Sequence, residues 1–164
     1  MNAEALPKPR QGLGFQPTLK GRALRLLAQR EYSRQELERK LRPFEEVPGE
    51  LAKALDDLQA KDFINEQRVL ESVVHRRASK LGTTRIKQEL QAKGLDPQAV
   101  SEALLGLRET EVDRAREVWR KKFGEAAADA NARAKQMRFL LTRGFSADAV
   151  RRVVSGAEDD PGCV

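Results

Sequence analysis

The chain has 164 residues, 34% of them charged and 40% hydrophobic, with a formal net charge of +6 and a pI near 9.7. That length supports one ordinary domain or a few small helical units, and the mix suits a folded protein, not a disordered one. A lone cysteine, Cys163, excludes an internal disulfide framework, while the basic balance favours nucleic acid, an anionic membrane or an acidic protein as partner.

Residues 1–18 read as a flexible N-terminal tail, because Pro7, Pro9 and Pro17 with Gly12 and Gly14 break any helical pattern. The segment lacks the apolar core of a secretory signal, and no apolar run spans a bilayer, so the expected setting is reducing and cytoplasmic, with no membrane partner. From about Lys20 onward almost everything reads as helix. Ala23, Leu24, Leu27 and Ala28 set the apolar side of the first helix. Ser33 to Glu36 form a capping box for the second, which carries Leu37 and Leu41 and stops before Pro43. A third begins near Pro48, with Leu51, Ala54, Leu55 and Leu58.

Asn65 caps the next helix, whose stripe is Val69, Leu70, Val73, Val74 and Ala78. Thr83 or Thr84 caps a helix holding Ile86 and Leu90, ended by Gly94, and Asp96-Pro97 opens another with Val100, Ala103 and Leu104. A further helix spans about Glu111 to Phe123, with Val112, Ala115, Val118, Trp119 and Phe123 inward. Gly124 to Asn131 reads as loop or helix extension. The next helix places Met137, Leu140 and Leu141 inside and stops at Gly144, and Ser146 caps the last, with Ala149, Val150, Val153 and Val154. After Gly156 the chain reads as a second flexible tail.

An offset of 50 residues relates two of these sets: Lys93-Gly94-Leu95 falls on Arg143-Gly144-Phe145, Leu90 on Leu140, Val100 on Val150 and Val69 on Trp119. The set around Glu36-Leu37 reads as a divergent copy without the glycine stop. The expected fold is therefore all-α: three tandem three-helix repeats (19–64, 65–108 and 109–156) between tails 1–18 and 157–164, stacked into an elongated, curved rod.

Charge is uneven along that rod. Arg68, Arg76, Arg77, Lys80, Arg85, Lys87 and Lys93 stand against only Glu71 and Glu89, and Asn131 to Gly144 holds Arg133, Lys135, Arg138 and Arg143 with no acid. Acids gather instead at Glu45-Glu46, Glu50, Asp56-Asp57 and Glu158 to Asp160. Arg76, Arg77, Lys80, Arg85, Lys87, Arg133, Lys135 and Arg138 are the candidate contacts to a polyanion, since phosphates need only Arg and Lys presented along a surface. Catalysis is not expected. His75 is the only histidine, Cys163 lacks a histidine partner, no Cys/His set has zinc spacing and no glycine-rich phosphate loop occurs, so no metal and no cofactor are implied.

Several ordered motifs carry a family resemblance over about Lys20 to Ser155. They are Leu26-Leu27 through Arg30-Glu31-Tyr32-Ser33-Arg34-Gln35-Glu36-Leu37, then Asp62-Phe63-Ile64-Asn65 leading to Arg68 and Arg77. Gly82-x-x-Arg85-Ile86 through Leu90 to Lys93-Gly94 follows, then Leu140-x-x-Arg143-Gly144-Phe145. In order and spacing they resemble RecX, the regulator of bacterial RecA recombinase. The chain departs from the family pattern at Glu66 with Val69-Leu70, and in its Pro43 to Gly49 connection. No dimer seam is evident in the sequence, so a monomer is expected; the resemblance implies a protein that binds the RecA–DNA filament in its groove, blocks extension, and lowers strand exchange, ATP hydrolysis and co-protease activity, damping recombination and the SOS response. Two other readings stay open: a basic helical DNA-binding module acting independently of RecA, and a helical scaffold for an unrelated acidic protein.

Overall fold

A computed structural model describes residues 16–156; the two proposed tails fall largely outside them, as does Cys163. Among the described residues there are nine α-helices and one short 3₁₀ turn, and no strand. Helices α1 (Leu19–Leu27), α2 (Arg34–Leu41) and α3 (Glu50–Ala60) form unit 1, with the 3₁₀ turn Arg42–Phe44 after α2. Helices α4 (Glu66–Arg77), α5 (Thr83–Ala92) and α6 (Pro97–Glu109) form unit 2, and α7 (Glu111–Lys122), α8 (Ala130–Thr142) and α9 (Ala147–Val154) form unit 3.

Local chemistry sets most helix starts. Ser33 Oγ accepts from the Glu36 N–H while the Glu36 carboxylate accepts from the Ser33 N–H, completing the capping box. Asn65, Asp96 and Ser146 accept from the amides of Arg68, Ala99 and Ala149. Asp129 does the same for Ala132, so Gly124 to Asp129 is loop and α8 starts at Ala130. Gly94 and Gly144 end α5 and α8 with φ of 71° and 87°, a region that suits a residue without Cβ.

Three expectations are corrected. Pro48 does not open α3; Gly49, at φ 94°, is its N-cap. Neither Thr83 nor Thr84 caps α5: Gly82 holds the cap position, Thr83 is buried at the first helical position, and its amide donates to Glu111 Oε1 of α7 at 3.0 Å. Leu141 points outward, 43% exposed, whereas Gln136 is buried, accepting from Trp119 Nε1 at 2.9 Å and donating to the Glu125 carbonyl at 3.1 Å. A buried amide is tolerated there because both its ends are paired.

Each unit has its own core. Leu37, Leu41, Leu51, Leu55, Leu58 and Ile64 fill unit 1. Val69, Val73, Ile86, Leu90, Val100 and Leu104 fill unit 2, and Ala115, Leu140, Phe145, Val150 and Val153 fill unit 3. Separate cores make the chain quasi-one-dimensional, so each unit leans on its neighbour through a joint.

The two joints repeat one design: the N-terminus of a unit's second helix sits on the glycine turn that ends the next unit's second helix. In the first, Ser33 Oγ donates to the Lys93 carbonyl at 2.6 Å. In the second, the Gly82 amide donates to the Arg143 carbonyl at 2.8 Å and the Thr84 amide to the Gly144 carbonyl at 3.2 Å. Arg114 of α7 closes the second joint from behind. Its guanidinium donates to the carbonyls of Ala78, Leu81 and Leu107 at 2.9, 2.7 and 2.9 Å and to Thr83 Oγ1 at 3.3 Å. Burial lowers its pKa from the ordinary value, opposed by the nearby Glu111 carboxylate.

Candidate functional site

Helix α8 carries Lys135, Arg138, Phe139 and Thr142 at i, i+3, i+4 and i+7, so all four share one face. That face meets the N-terminus of α5 and the C-terminus of α7 across the second joint, enclosing an open cleft of about 590 Å³. Arg85, Lys122, Lys135, Arg138 and Arg143 line it together with Leu81, Phe123, Phe139 and Thr142. A hollow of about 290 Å³ adjoins it through Lys122, Phe139 and Arg143 and adds Lys80 and Lys121. The two linings thus bring together seven cationic side chains and no carboxylate.

The floor of the cleft is aromatic. Phe123 and Phe139 pack edge to face with ring centroids 5.3 Å apart. The Arg143 guanidinium lies 4.4 Å from the Phe139 centroid and Lys122 Nζ 5.8 Å from it, cation–π contacts that hold both charges at the cleft without neutralising them. Arg143 Nε is buried and finds no hydrogen-bond partner among the described residues. Chemically, the arrangement offers forked guanidinium donors over a weakly polar floor.

The eight candidate contacts are distributed as follows. Arg85, Lys135 and Arg138 line the cleft and Lys80 the adjoining hollow. Arg133 faces a separate hollow with Met137 and Val154. Lys87 is exposed on α5 and lines neither cavity. Arg76 turns back to the Ser72 carbonyl of its own helix at 3.2 Å, and Arg77 pairs with Glu89 at 2.9 Å. Arg68, read as part of the same strip, is tied to Glu31 at 3.0 Å and Asp62 at 2.8 Å. The strip is therefore not continuous: acids from other elements neutralise parts of α4, and free charge concentrates at the second joint. Lys121, Lys122 and Arg143 belong to that concentration and lie outside the eight candidates; the basic run Arg120-Lys121-Lys122 and the acid-free stretch from Asn131 to Gly144 are the sequence signals for them.

Unit 1 presents a smaller basic hollow, where Arg22, Arg25 and Lys40 surround Phe44, and the Arg22 guanidinium stacks 3.9 Å from the Phe44 centroid. Among the described residues no three His, Cys, Asp or Glu side chains converge as a metal site, and no helix is long and apolar enough to cross a membrane.

The three units coincide with three matched family models. The first three-helix domain of RecX matches residues 20–58, the second 65–104 and the third 109–154. The regulatory protein RecX of Leptothrix cholodnii is 52% identical over 145 residues, covering 88% of this chain and 92% of that protein. The regulatory protein RecX of Herminiimonas arsenicoxydans is 49% identical over 146 residues, covering 89% and 97%. The crystal structure of RecX from Lactobacillus salivarius superposes with a TM-score of 0.70 at 26% identity, over 84% of this chain and 93% of that one. With all three domains matched in order and half the positions shared with such relatives, this chain belongs to the RecX family of regulatory proteins.

Proposed function

We propose that this protein is a negative modulator of RecA that binds the RecA–DNA filament, blocks its extension and so lowers recombination, ATP hydrolysis and SOS co-protease activity. Family membership across all three units carries the reading. The tandem helical architecture supports it: three units, each with its own core and joined in sequence by a repeated contact, suit binding along an extended partner such as a filament. The basic cleft supports it as well, because a filament on DNA offers phosphates at regular intervals. On this reading the protein works in the cytoplasm by binding alone, and needs neither cofactor nor catalysis.

The test is ATP hydrolysis by the cognate RecA on single-stranded DNA, with this protein titrated well below the RecA concentration. Substoichiometric inhibition is the expected result, since one molecule that stops growth at an end silences many subunits. Inhibition that only follows one-to-one stoichiometry would argue against blocked extension, and none at all would remove RecA as the target. The acid-free cleft favours one second reading, a DNA-binding module acting independently of RecA. Tight, salt-sensitive DNA binding without any effect on RecA would favour it.

A further inference from the structure

The same joint is built twice in this chain, and the two copies differ in the charge carried by the third residue of the earlier unit's second helix. At the first, Lys93 is the C-cap of α5 and Glu36 is the third residue of α2; the two meet as an ion pair at 2.7 Å, with side chains only 11% and 14% exposed. At the second, Arg143 is the C-cap of α8, equivalent to Lys93, and the third residue of α5 is Arg85. A cation thus stands where the first joint has its carboxylate. Arg85 and Arg143 line the same cleft, Arg143 Nε has no partner among the described residues, and neither lining offers an acid.

We propose that the gap between Arg85 and Arg143 is a phosphodiester site for single-stranded nucleic acid, in which a backbone phosphate takes the place held by the Glu36 carboxylate at the first joint. Bound there, the phosphate both anchors the strand and ties unit 2 to unit 3. Lys122, Lys135 and Arg138 flank the gap and receive the neighbouring phosphates. The composition selects nucleic acid over an acidic protein surface. Protein interfaces are depleted of charge at their centre, whereas nucleic-acid interfaces are strongly positive, and this cleft sets five cations and no acid around its aromatic floor. The proposal deepens the filament reading and rests on it only for its biological setting.

The test uses the full chain and a fluorescein-labelled oligothymidylate, followed by anisotropy over a salt series, with no RecA present. The variants are Arg85→Glu and the pair Lys135→Glu with Arg138→Glu, all on exposed positions, with Lys53→Glu and Arg108→Glu, exposed cations outside the candidate contacts, as a control away from the cleft. Both cleft variants should bind about 10-fold or more weakly, with the log–log salt slope flattened by about 0.7 for each phosphate no longer neutralised. The control should bind as the parent does. Arg85→Glu should in addition raise the melting temperature without oligonucleotide, because it restores the carboxylate of the first joint, and should abolish the upward shift that oligonucleotide gives the parent. Unchanged affinity and slope in both cleft variants would overturn the site. Polyglutamate competing as well as oligothymidylate at equal charge would overturn its assignment to nucleic acid. RecA hydrolysis separates this from the broader reading: cleft-dependent oligonucleotide binding without RecA inhibition sinks the filament reading and keeps the site, and inhibition without it does the reverse.

Discussion

Glu36 serves three partners with one carboxylate. It accepts from the Ser33 amide at 2.9 Å, from Arg30 at 3.0 Å and from Lys93 of the next unit at 2.7 Å. Burial alone would push its pKa up, but the Arg30 and Lys93 hydrogen bonds and the Ser33 amide outweigh it and hold the carboxyl at about 2, against an ordinary 4.5. A depressed carboxyl stabilises the fold above its unfolded pKa and loses that contribution as pH falls through the folded one. The contribution, on the order of 2 to 3 kcal/mol, should therefore fade between about pH 4.5 and 2. Glu36→Gln should remove this part of the acid dependence and lower stability at neutral pH, since Lys93 then lies buried beside a neutral amide; urea melts across the pH range measure both. A parent-like acid limb in the variant would place the dependence elsewhere. Arg114 makes a different residue-scale case. Its fork reaches carbonyls that α4, α6 and the turn between α4 and α5 leave open, and a lysine ammonium cannot span them. Arg114→Lys should cost about 2 kcal/mol in chemical denaturation despite keeping the charge. A loss within error would mean that charge alone matters there.

At the scale of elements, both joints turn on glycine for different reasons. Gly82 has an ordinary φ of −76°, yet a Cβ there would overlap the backbone of Gly144 and Phe145. Gly94 has a left-handed φ of 71°, and its added Cβ would meet chiefly the side chain of Gln35, which can swing away. Gly94→Ala should thus cost about 1–2 kcal/mol, the left-handed penalty. Gly82→Ala should cost about 3 kcal/mol or more, because main chain cannot yield without undocking unit 3. Equal melting temperatures for the two variants would refute the distinction. This contrast also marks where the sequence is readable. Helix existence, the capping residues Ser33, Asn65, Asp96 and Ser146, and the glycine stops are local chemistry, and each is found where spacing predicts it. The cap of α5 is not legible, because its acceptor, Glu111, arrives from α7 through tertiary packing. The same holds for the site. Lys135, Arg138 and Arg85 are visible as unbalanced charge, but that Arg68 and Arg77 are neutralised depends on Glu31, Asp62 and Glu89 from other elements.

Across the whole molecule, the two joints should answer salt with opposite signs. The first is held by opposite charges: Lys93 on Glu36, and Arg68 on Glu31. The second crowds Lys80, Arg85, Lys121, Lys122, Lys135, Arg138 and Arg143 around a cleft and its adjoining hollow whose linings hold no acid, and is held by backbone hydrogen bonds, the Glu111 carboxylate on the Thr83 amide, Arg114 and apolar contact. Raising ionic strength from about 0.05 to 0.5 M shortens the Debye length from about 14 Å to about 4 Å, which screens charges that are neighbours across the cleft. Attraction at the first joint weakens, while repulsion at the second is relieved. Because each unit has its own core, these effects stay local instead of merging into one global stability. Hydrogen exchange resolved by segment should then show amides of α2 losing protection with sodium chloride while those of α8 and α9 gain it. Protection moving the same way in all three units would mean that the chain opens as one cooperative body and that the joints do not set its local stability. An opposite response would make the second joint the part of the molecule that an anionic partner is placed to tighten.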